Sequence, residues 1–525
     1  MIRRGTLVLA ALLLAAPVFA QRLTGSLESS SVYGDSSPYQ GLYSNNYIKL
    51  DYTSGSFSAG IQGEYYPAPL PGYESSLKGF GLPMKYISWG SSFPDLSRES
   101  QASLSITIGD FYGQFGSGVI LRSWEDRDLG LANSIGGLRV KYDSPLVSVT
   151  ALAGAPRAGL WYASSLVSGV DAELNPLPGL TVGGGIVDRY EFSPSADFGL
   201  LLGSSDIPKS VLLHTLRAGY AYGGLTVSAE YVGKGADFTA VRHKGSSDTY
   251  ELSPGRAFMA DISWSSGALS LTGSWRYLDN MAFRAYRTLG TLVPSNTLNY
   301  LPALCQQQTY MLASLNPYET FAEGENGFRG DAYYHFSRGS SLGGKYGMTL
   351  HVGGSWINAL GKVLPRRDTD YLAYRDLNVD IKRKWNKRFK TTLFMSLQEC
   401  SPTHGNRNAT ECQNVFVAEG QYLFDGGVSL RAELQYLYSE EREKDWMAGL
   451  AEILIAPHWS FSVSDMYNHG STRQHYWNVF ASWASGQFKA ILGYGRNHEG
   501  MVCSGGVCRW QPEYKGAFLR IQYAF

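Results

Sequence analysis

Apolar and polar residues alternate one by one along most of this chain. That period of two excludes almost everything except β-strands. In residues 225–231, Leu225, Val227, Ala229 and Tyr231 share one face, and Thr226, Ser228 and Glu230 the other. Residues 269–277 repeat the pattern, with Leu269, Leu271, Gly273, Trp275 and Tyr277 set against Ser270, Thr272, Ser274 and Arg276. Residues 428–438 set Val428, Leu430, Ala432, Leu434, Tyr436 and Tyr438 against Ser429, Arg431, Glu433, Gln435 and Leu437. Helical spacing would scatter these apolar residues around a cylinder.

Two kinds of connection join the alternating segments. Tight turns fall at 53–56, 143–145, 176–179, 223–224, 265–267, 384–387, 425–427, 456–458 and 484–487, and a longer Gly/Ser-rich one at 337–347. Irregular connections occupy 191–210, 236–255, 279–327 and 497–513. Short turns at one end and long loops at the other are the pattern of a transmembrane antiparallel β-barrel, with the turns periplasmic and the loops outside. Ten turns with both termini periplasmic imply about 22 strands. Alternation of Leu104, Ile106 and Ile108 adds a possible hairpin within 101–123 and raises the count to about 24. The expectation is an all-β barrel of about 22 strands, range 18–26. A soluble sandwich or propeller competes, but its loops would be more even in length. The last strand also favours the barrel. Leu519, Ile521, Tyr523 and Phe525 share a face while Arg520 and Gln522 point the other way. An alternating final strand that ends in Phe resembles the C-terminal signal by which bacterial outer-membrane barrels are recognised for insertion.

Residues 1–20 read as a secretory signal peptide. Arg3 and Arg4 precede an apolar run from Leu7 to Ala16, and Val18 and Ala20 are the small residues of a cleavage site. The run is short for a membrane helix, and residues 21–525 contain no apolar stretch of 18 residues or more. The sequence thus predicts export through the periplasm and a single barrel over 21–525 in a Gram-negative outer membrane. Its partners there are outer-membrane lipid and the barrel-insertion machinery, with a protein partner possible at the outer loops.

Charge narrows the function. Lys and Arg total 45, Asp and Glu total 45, and charged residues make up only 17% of the 525. A balanced chain has no electrostatic footprint for nucleic acid. Parity places both signs on the lumen face, among them Glu28, Lys49, Asp51, Glu64, Arg139, Lys141, Asp171, Arg217, His351, Asp380, Arg431 and Arg520. Mixed signs predict cross-strand ion pairs and no strong ion selectivity, because a selective pore presents a ring of one sign. Aromatics near strand ends, such as Tyr33, Tyr65, Trp264, Trp275 and Trp356, suit interfacial girdles.

The densest charge cluster lies in 109–130, GDFYGQFGSGVILRSWEDRDLG, which holds Asp110, Arg122, Glu125, Asp126, Arg127 and Asp128. We expect this segment to belong to one long outer connection, 67–135, too long to be idle. Folded inward, it would pair with Arg139 and Lys141 and plug the lumen. This run, the run NYLPALCQQQTYMLASLNPYETFAEGENGF at 299–328 and the ending CSGGVCRWQPEYKGAFLRIQYAF at 503–525 resemble a Bacteroidetes-type family of exported outer-membrane barrels of unknown function. The resemblance implies fold and location and no catalytic residue.

All five cysteines fall in expected outer loops. The periplasmic route favours disulfides, so Cys503–Cys508 and Cys400–Cys412 are the expected pairs, with Cys305 left over. A metal site is the runner-up, but Cys-x4-Cys lacks a second pair. No nucleophile elbow, zincin motif or phosphate loop occurs, so neither an enzyme nor a bound cofactor is expected. The resulting functional expectation is a pore or transport barrel partly occluded by its own loops. The alternative is a structural or partner-binding barrel in a surface or secretion complex.

Overall fold

The computed structural model describes residues 21–95, 100–193, 207–242, 248–287, 294–361, 370–400, 410–440, 443–504 and 507–525. Twenty-four strands follow one another in chain order. The first eight are β1 (Gln21–Gly34), β2 (Gly41–Ser54), β3 (Phe57–Ala68), β4 (Gly79–Asp95), β5 (Ser100–Phe111), β6 (Ile135–Asp143), β7 (Val147–Ala158) and β8 (Ser165–Leu177). Next come β9 (Leu180–Glu191), β10 (Ser210–Tyr222), β11 (Leu225–Arg242), β12 (Asp248–Ser266), β13 (Leu269–Asp279), β14 (Gly324–Phe336), β15 (Met348–Ala359) and β16 (Tyr371–Lys384). The series ends with β17 (Phe389–Cys400), β18 (Glu411–Leu423), β19 (Val428–Tyr438), β20 (Trp446–Ile455), β21 (Trp459–Asn468), β22 (His475–Ser485), β23 (Phe488–Asn497) and β24 (Tyr514–Ala524).

Each strand pairs antiparallel with the next, and β24 pairs back onto β1 from Gly34↔Gly516 to Ser26↔Ala524. The sheet is a closed barrel with no edge left to pair. Both described ends of the chain lie at the end that carries the tight turns. Several of those turns are two residues long and open on a glycine with positive φ: 55° at Gly55, 57° at Gly223, 58° at Gly267 and 55° at Gly486. A side chain would strain that backbone, so the alternation is punctuated by glycine there.

The count is two above the expected 22 and inside the expected range. The difference lies in 67–135, which is not one connection. It contains β4 and β5, joined at 96–99, outside the described residues. The alternating Leu104, Ile106 and Ile108 belong to β5. Pro83, Gly90 and Pro94 interrupt the alternation of β4, and a register shift against Gln62 and Glu64 of β3 shuffles its parity. Only 112–134 remains as the irregular stretch that the expected plug requires.

Parity assigns the faces. Leu23, Leu27, Ile108, Leu138, Leu216, Leu434 and Leu492 point outward and are exposed. Among the described residues no second layer covers them, so an apolar belt surrounds the barrel. Leu519, Tyr523 and Phe525 of the closing strand belong to this face. Phe525 seals the seam. Its N–H donates to the Gly25 carbonyl and its carbonyl accepts from the Gly25 N–H, both at 2.9 Å. Its ring covers Gly25, where a Cβ would collide with the ring and with Leu50. Gly25→Val is therefore expected to lift the Phe525 ring and loosen the seam by about 1–3 kcal/mol, the usual cost of overpacking. The readout is a lower temperature for conversion of the fast-migrating folded band in unboiled electrophoresis.

Candidate functional site

The lumen is divided by height. Toward the turn end its wall carries ion pairs of mixed sign. Arg217 forks onto Asp171 at 2.6 and 2.8 Å, and His351 bridges Asp380 at 2.7 Å and Asp331 at 2.9 Å. Arg431 lies among Glu419, Glu433 and Glu452. Part of this wall stays open to water, with Glu173 40% exposed, Glu452 37% and Arg431 34%, whereas His351, Asp331, Asp380 and Glu433 are buried. Toward the loop end, among the described residues, buried apolar side chains and buried ion pairs of the wall meet chain folded inward.

Two connections fold inward to fill that upper half. In the first, 112–134, a turn at Gly116 and Gly118 with φ of 53° and 99° throws Phe115, Val119, Ile120 and Leu121 against the wall. All four are fully buried, packed on Val167, Val187, Leu213, Val232 and Leu278 of β8 to β13. The second, described over 280–287 and 294–323, continues this core with Met281, Phe283, Ala285 and Leu298. It then crosses the bore. Leu304, Cys305, Tyr318 and Phe321 seat on Ile357, Tyr371, Tyr374 and Cys400, while Tyr310, Leu312 and Ala313 seat on Phe394, Val415, Val417, Leu437 and Trp446. Burial of this much apolar surface at roughly 25 cal/mol per Å² is what holds the segments inside.

The two segments are joined to each other. Arg122 N–H donates to Leu298 O at 2.8 Å, Tyr300 N–H to Gly118 O at 2.9 Å, and Asn299 Nδ2 to Val119 O at 3.1 Å. The Arg122 guanidinium lies between the rings of Trp124 and Tyr300, 4.8 and 4.0 Å from their centroids. The pair thus moves as one unit or not at all.

Ionic clamps fasten the unit to the wall. Arg287 donates to Glu191 at 2.7 Å, Asp237 at 2.9 Å and the Pro208 carbonyl at 2.8 Å. Arg189 supports the same acids and donates to Arg284 O at 3.0 Å. Lys234 Nζ donates to Ala282 O at 2.7 Å, Gln308 to Asn378 at 2.9 Å, and Gln435 accepts from Leu312 N–H at 3.1 Å. Below the first segment, buried Arg157 grips Glu64 at 2.9 and 2.6 Å, with Tyr66 and Gln62 donating to the same carboxylate.

The charged residues singled out in the sequence divide. Arg127 pairs with Glu28 at 2.8 Å and Glu125 at 3.1 Å, beneath the Tyr47 ring. Asp128 accepts from Arg520 at 2.7 Å, and Asp126 accepts from Leu129 N–H within its own turn. These partners sit in the first and last strands, not at Arg139 and Lys141 as expected. Arg139 donates to the Tyr112 carbonyl at 2.6 Å, and Lys141 faces Asp143 at 3.7 Å near the turn end. Asp110 is not a lumen residue. Strand alternation puts it on the face of outward Ile108, under Lys85 and Tyr162.

Cys503 and Cys508 form a disulfide that closes a hairpin, Gly500–Ser504 with Val507–Gln511, over the mouth. From it Arg509 reaches Pro71 O and Asp128 O and stacks on Tyr73, 4.5 Å from the ring centre. Cys400 and Cys412 are not a pair. The β17–β18 register sets Cys400 opposite Glu411 and Cys412 opposite Glu399. That offset of one residue sends the thiols to opposite faces, Cys400 buried and Cys412 exposed, and a disulfide cannot span the sheet.

The second segment was legible in part. Its wall partners break the alternation: Val211-Leu212-Leu213, Val415-Phe416-Val417 and Trp446-Met447-Ala448 are apolar on both faces. A strand end apolar on both faces needs something dry on each side, and that signal marks where the lumen is filled. Among the described residues no group of three metal-binding side chains converges.

The family profile that matches residues 4–525 is described as a family of unknown function, DUF6029. The chain belongs to that family. A search of curated proteins finds no match. Similar solved structures include the P pilus usher PapC translocation pore, at 11% identity over 96% of this chain and 99% of that one, TM-score 0.42. The copper transporter OprC matches at 9% over 97% and 82%, TM-score 0.43. OccK8 (OprE) of Pseudomonas aeruginosa matches at 10% over 85% and 98%, TM-score 0.40. The likeness is one of fold alone.

Two outcomes test this packing. Arg157→Ala is expected to destabilise the folded barrel by about 3–5 kcal/mol, because it strands a buried carboxylate. Burial pushes the Cys305 thiol well above its ordinary range. Cys305 is therefore expected to resist iodoacetamide until the barrel is unfolded; rapid native labelling at Cys305, read by peptide mapping apart from exposed Cys412, would show that the crossing segment is not seated.

Proposed function

We propose that this DUF6029 chain is an outer-membrane barrel that acts as a gated conduit with little charge selectivity. Segments 112–134, 280–287 and 294–323 form its gate. One observation carries the reading: among the described residues, inward-folded chain occupies the loop-end half of the bore, while the turn-end half is lined by polar and charged side chains, some of them open to water. The apolar belt supports the membrane setting, since a closed barrel satisfies its backbone there without solvent. Turn-end termini orient the polar half toward the periplasm. A signal peptide over 1–20, periplasmic export and insertion by the barrel-assembly machinery through the Leu519–Phe525 pattern belong to the same proposal.

A packed apolar plug also favours a second reading, a permanently closed barrel that holds a partner at its outer loops. Planar-bilayer conductance separates the two. Wild type is expected to stay mostly closed. Arg287→Met, which removes the clamp on Glu191 and Asp237, and deletion of 301–317 are each expected to raise open conductance several-fold, with cation and anion permeabilities near equal. Unchanged conductance in both variants would favour the partner-binding barrel. Release of the protein from carbonate-washed outer membranes would overturn the membrane setting itself.

A further inference from the structure

Four outward-facing cations share one arrangement. Lys85 Nζ lies 3.3 Å from Asp110 and 5.1 Å from the centre of the Tyr162 ring. Arg256 lies 3.7 Å from Asp279 and 5.5 Å from the Tyr277 ring. Arg375 donates to Glu399 at 2.6 Å and lies 5.0 Å from the Trp356 ring. Lys515 lies 3.5 Å from Asp35 and 5.9 Å from the Tyr494 ring. His475, 2.7 Å from Asp465 and stacked on Tyr467, repeats the geometry with an imidazole in the cation position.

In all four the carboxylate lies beneath and the cation on top. The side chains of Lys85, Arg256, Arg375 and Lys515 are 53, 59, 47 and 43% exposed; those of their acids are 0, 13, 17 and 29% exposed. A pair of no net charge thereby presents its positive end outward, oriented by the acid and the ring.

Three of them, Arg256, Arg375 and Lys515, also share a height. Lys85 sits lower, level with Ile61 only four residues above Phe57, because β4 runs six residues beyond the foot of β3. Arg256 lies ten residues from Ser266 at the turn end of β12. Arg375 lies nine residues from Lys384, and Lys515 nine from Ala524. Strands that rise about 3.3 Å per residue and tilt about 40° gain about 2.5 Å of height per residue. Nine or ten residues then span about 23–25 Å, close to the apolar band of about 25 Å in barrels of this class. The outward positions below these cations are dominated by apolar and aromatic side chains.

We infer that Arg256, Arg375 and Lys515 form a collar at the loop-side membrane boundary that binds the phosphate groups of lipid headgroups. The source we assign is the phosphorylated glycolipid of the outer leaflet, because the collar borders the leaflet on the loop side. The inference rests on the membrane reading above.

The test places the full chain in phosphatidylcholine nanodiscs doped with diphosphoryl lipid A, with the same lipid A dephosphorylated, or with phosphatidylglycerol. Lipid retained on the released protein is counted by native mass spectrometry. Wild type is expected to retain diphosphoryl over dephosphorylated lipid A by about tenfold. Arg256→Gln with Asp279→Asn, Arg375→Gln with Glu399→Gln, and Lys515→Gln with Asp35→Asn, combined at constant net charge, are expected to abolish that preference. The Arg256/Asp279 pair alone is expected to lower it, which keeps the test alive should the combined variant fold poorly. Equal retention of both lipid A forms by wild type would overturn the proposal, as would an undiminished preference in the folded variants. Preference for phosphatidylglycerol without lipid A would overturn the glycolipid assignment. A wild-type chain that never enters the discs would overturn the membrane reading instead.

Discussion

Closure of the sheet is the constraint on which the rest of this structure depends. The pairing of β1 with β24 leaves no open edge, so the backbone of the barrel is satisfied internally and its outer face is free to be apolar. The same closure encloses a bore, and a bore of 24 strands is too wide for wall side chains to fill. The lumen must therefore be wet, or be filled by chain folded back from an end. Both solutions occur here, one above the other.

The plug is built as a small protein interior inside the barrel. It has an apolar core, buried ion pairs, and backbone links between two segments distant in sequence. Arg287 and Arg189 share Glu191 and Asp237, and Arg157 shares Glu64 with Tyr66 and Gln62. Buried pairs of this kind add specificity more than net stability, since desolvation offsets much of their attraction. They are apt as clamps: intact they fix one position, and with one partner removed they leave an uncompensated charge that drives rearrangement. The ion pairs below them are mixed in sign and give no net field along the bore; those open to water, such as Arg431 with Glu452, are weak singly.

Much of this was legible in local pattern. Parity of two in 225–231, 269–277 and 428–438 identified the strands and separated outward from inward residues, and glycines with positive φ marked the turns. The route of β4 was hidden because Pro83, Gly90 and Pro94 erase the alternation that a strand shows. The plug was half visible. Its charges stood out in 122–128, but its larger part, 280–287 with 294–323, announced itself only indirectly, through wall strands apolar on both faces.

The sequence by itself determined the strand period, the two faces, the end at which turns sit and the neutral mixture of charge in the lumen, because each is set by neighbours two to four residues apart. Tertiary structure alone decided which charges meet. Arg127 finds Glu28 and Asp128 finds Arg520 because closure brings the first and last strands together beside the plug. It likewise decided that Cys400 and Cys412 stand on opposite faces, since a register shift of one residue reverses a side chain and leaves no trace in composition. Pairings across a closed sheet depend on register and curvature summed around the ring, and no local stretch of sequence contains that sum.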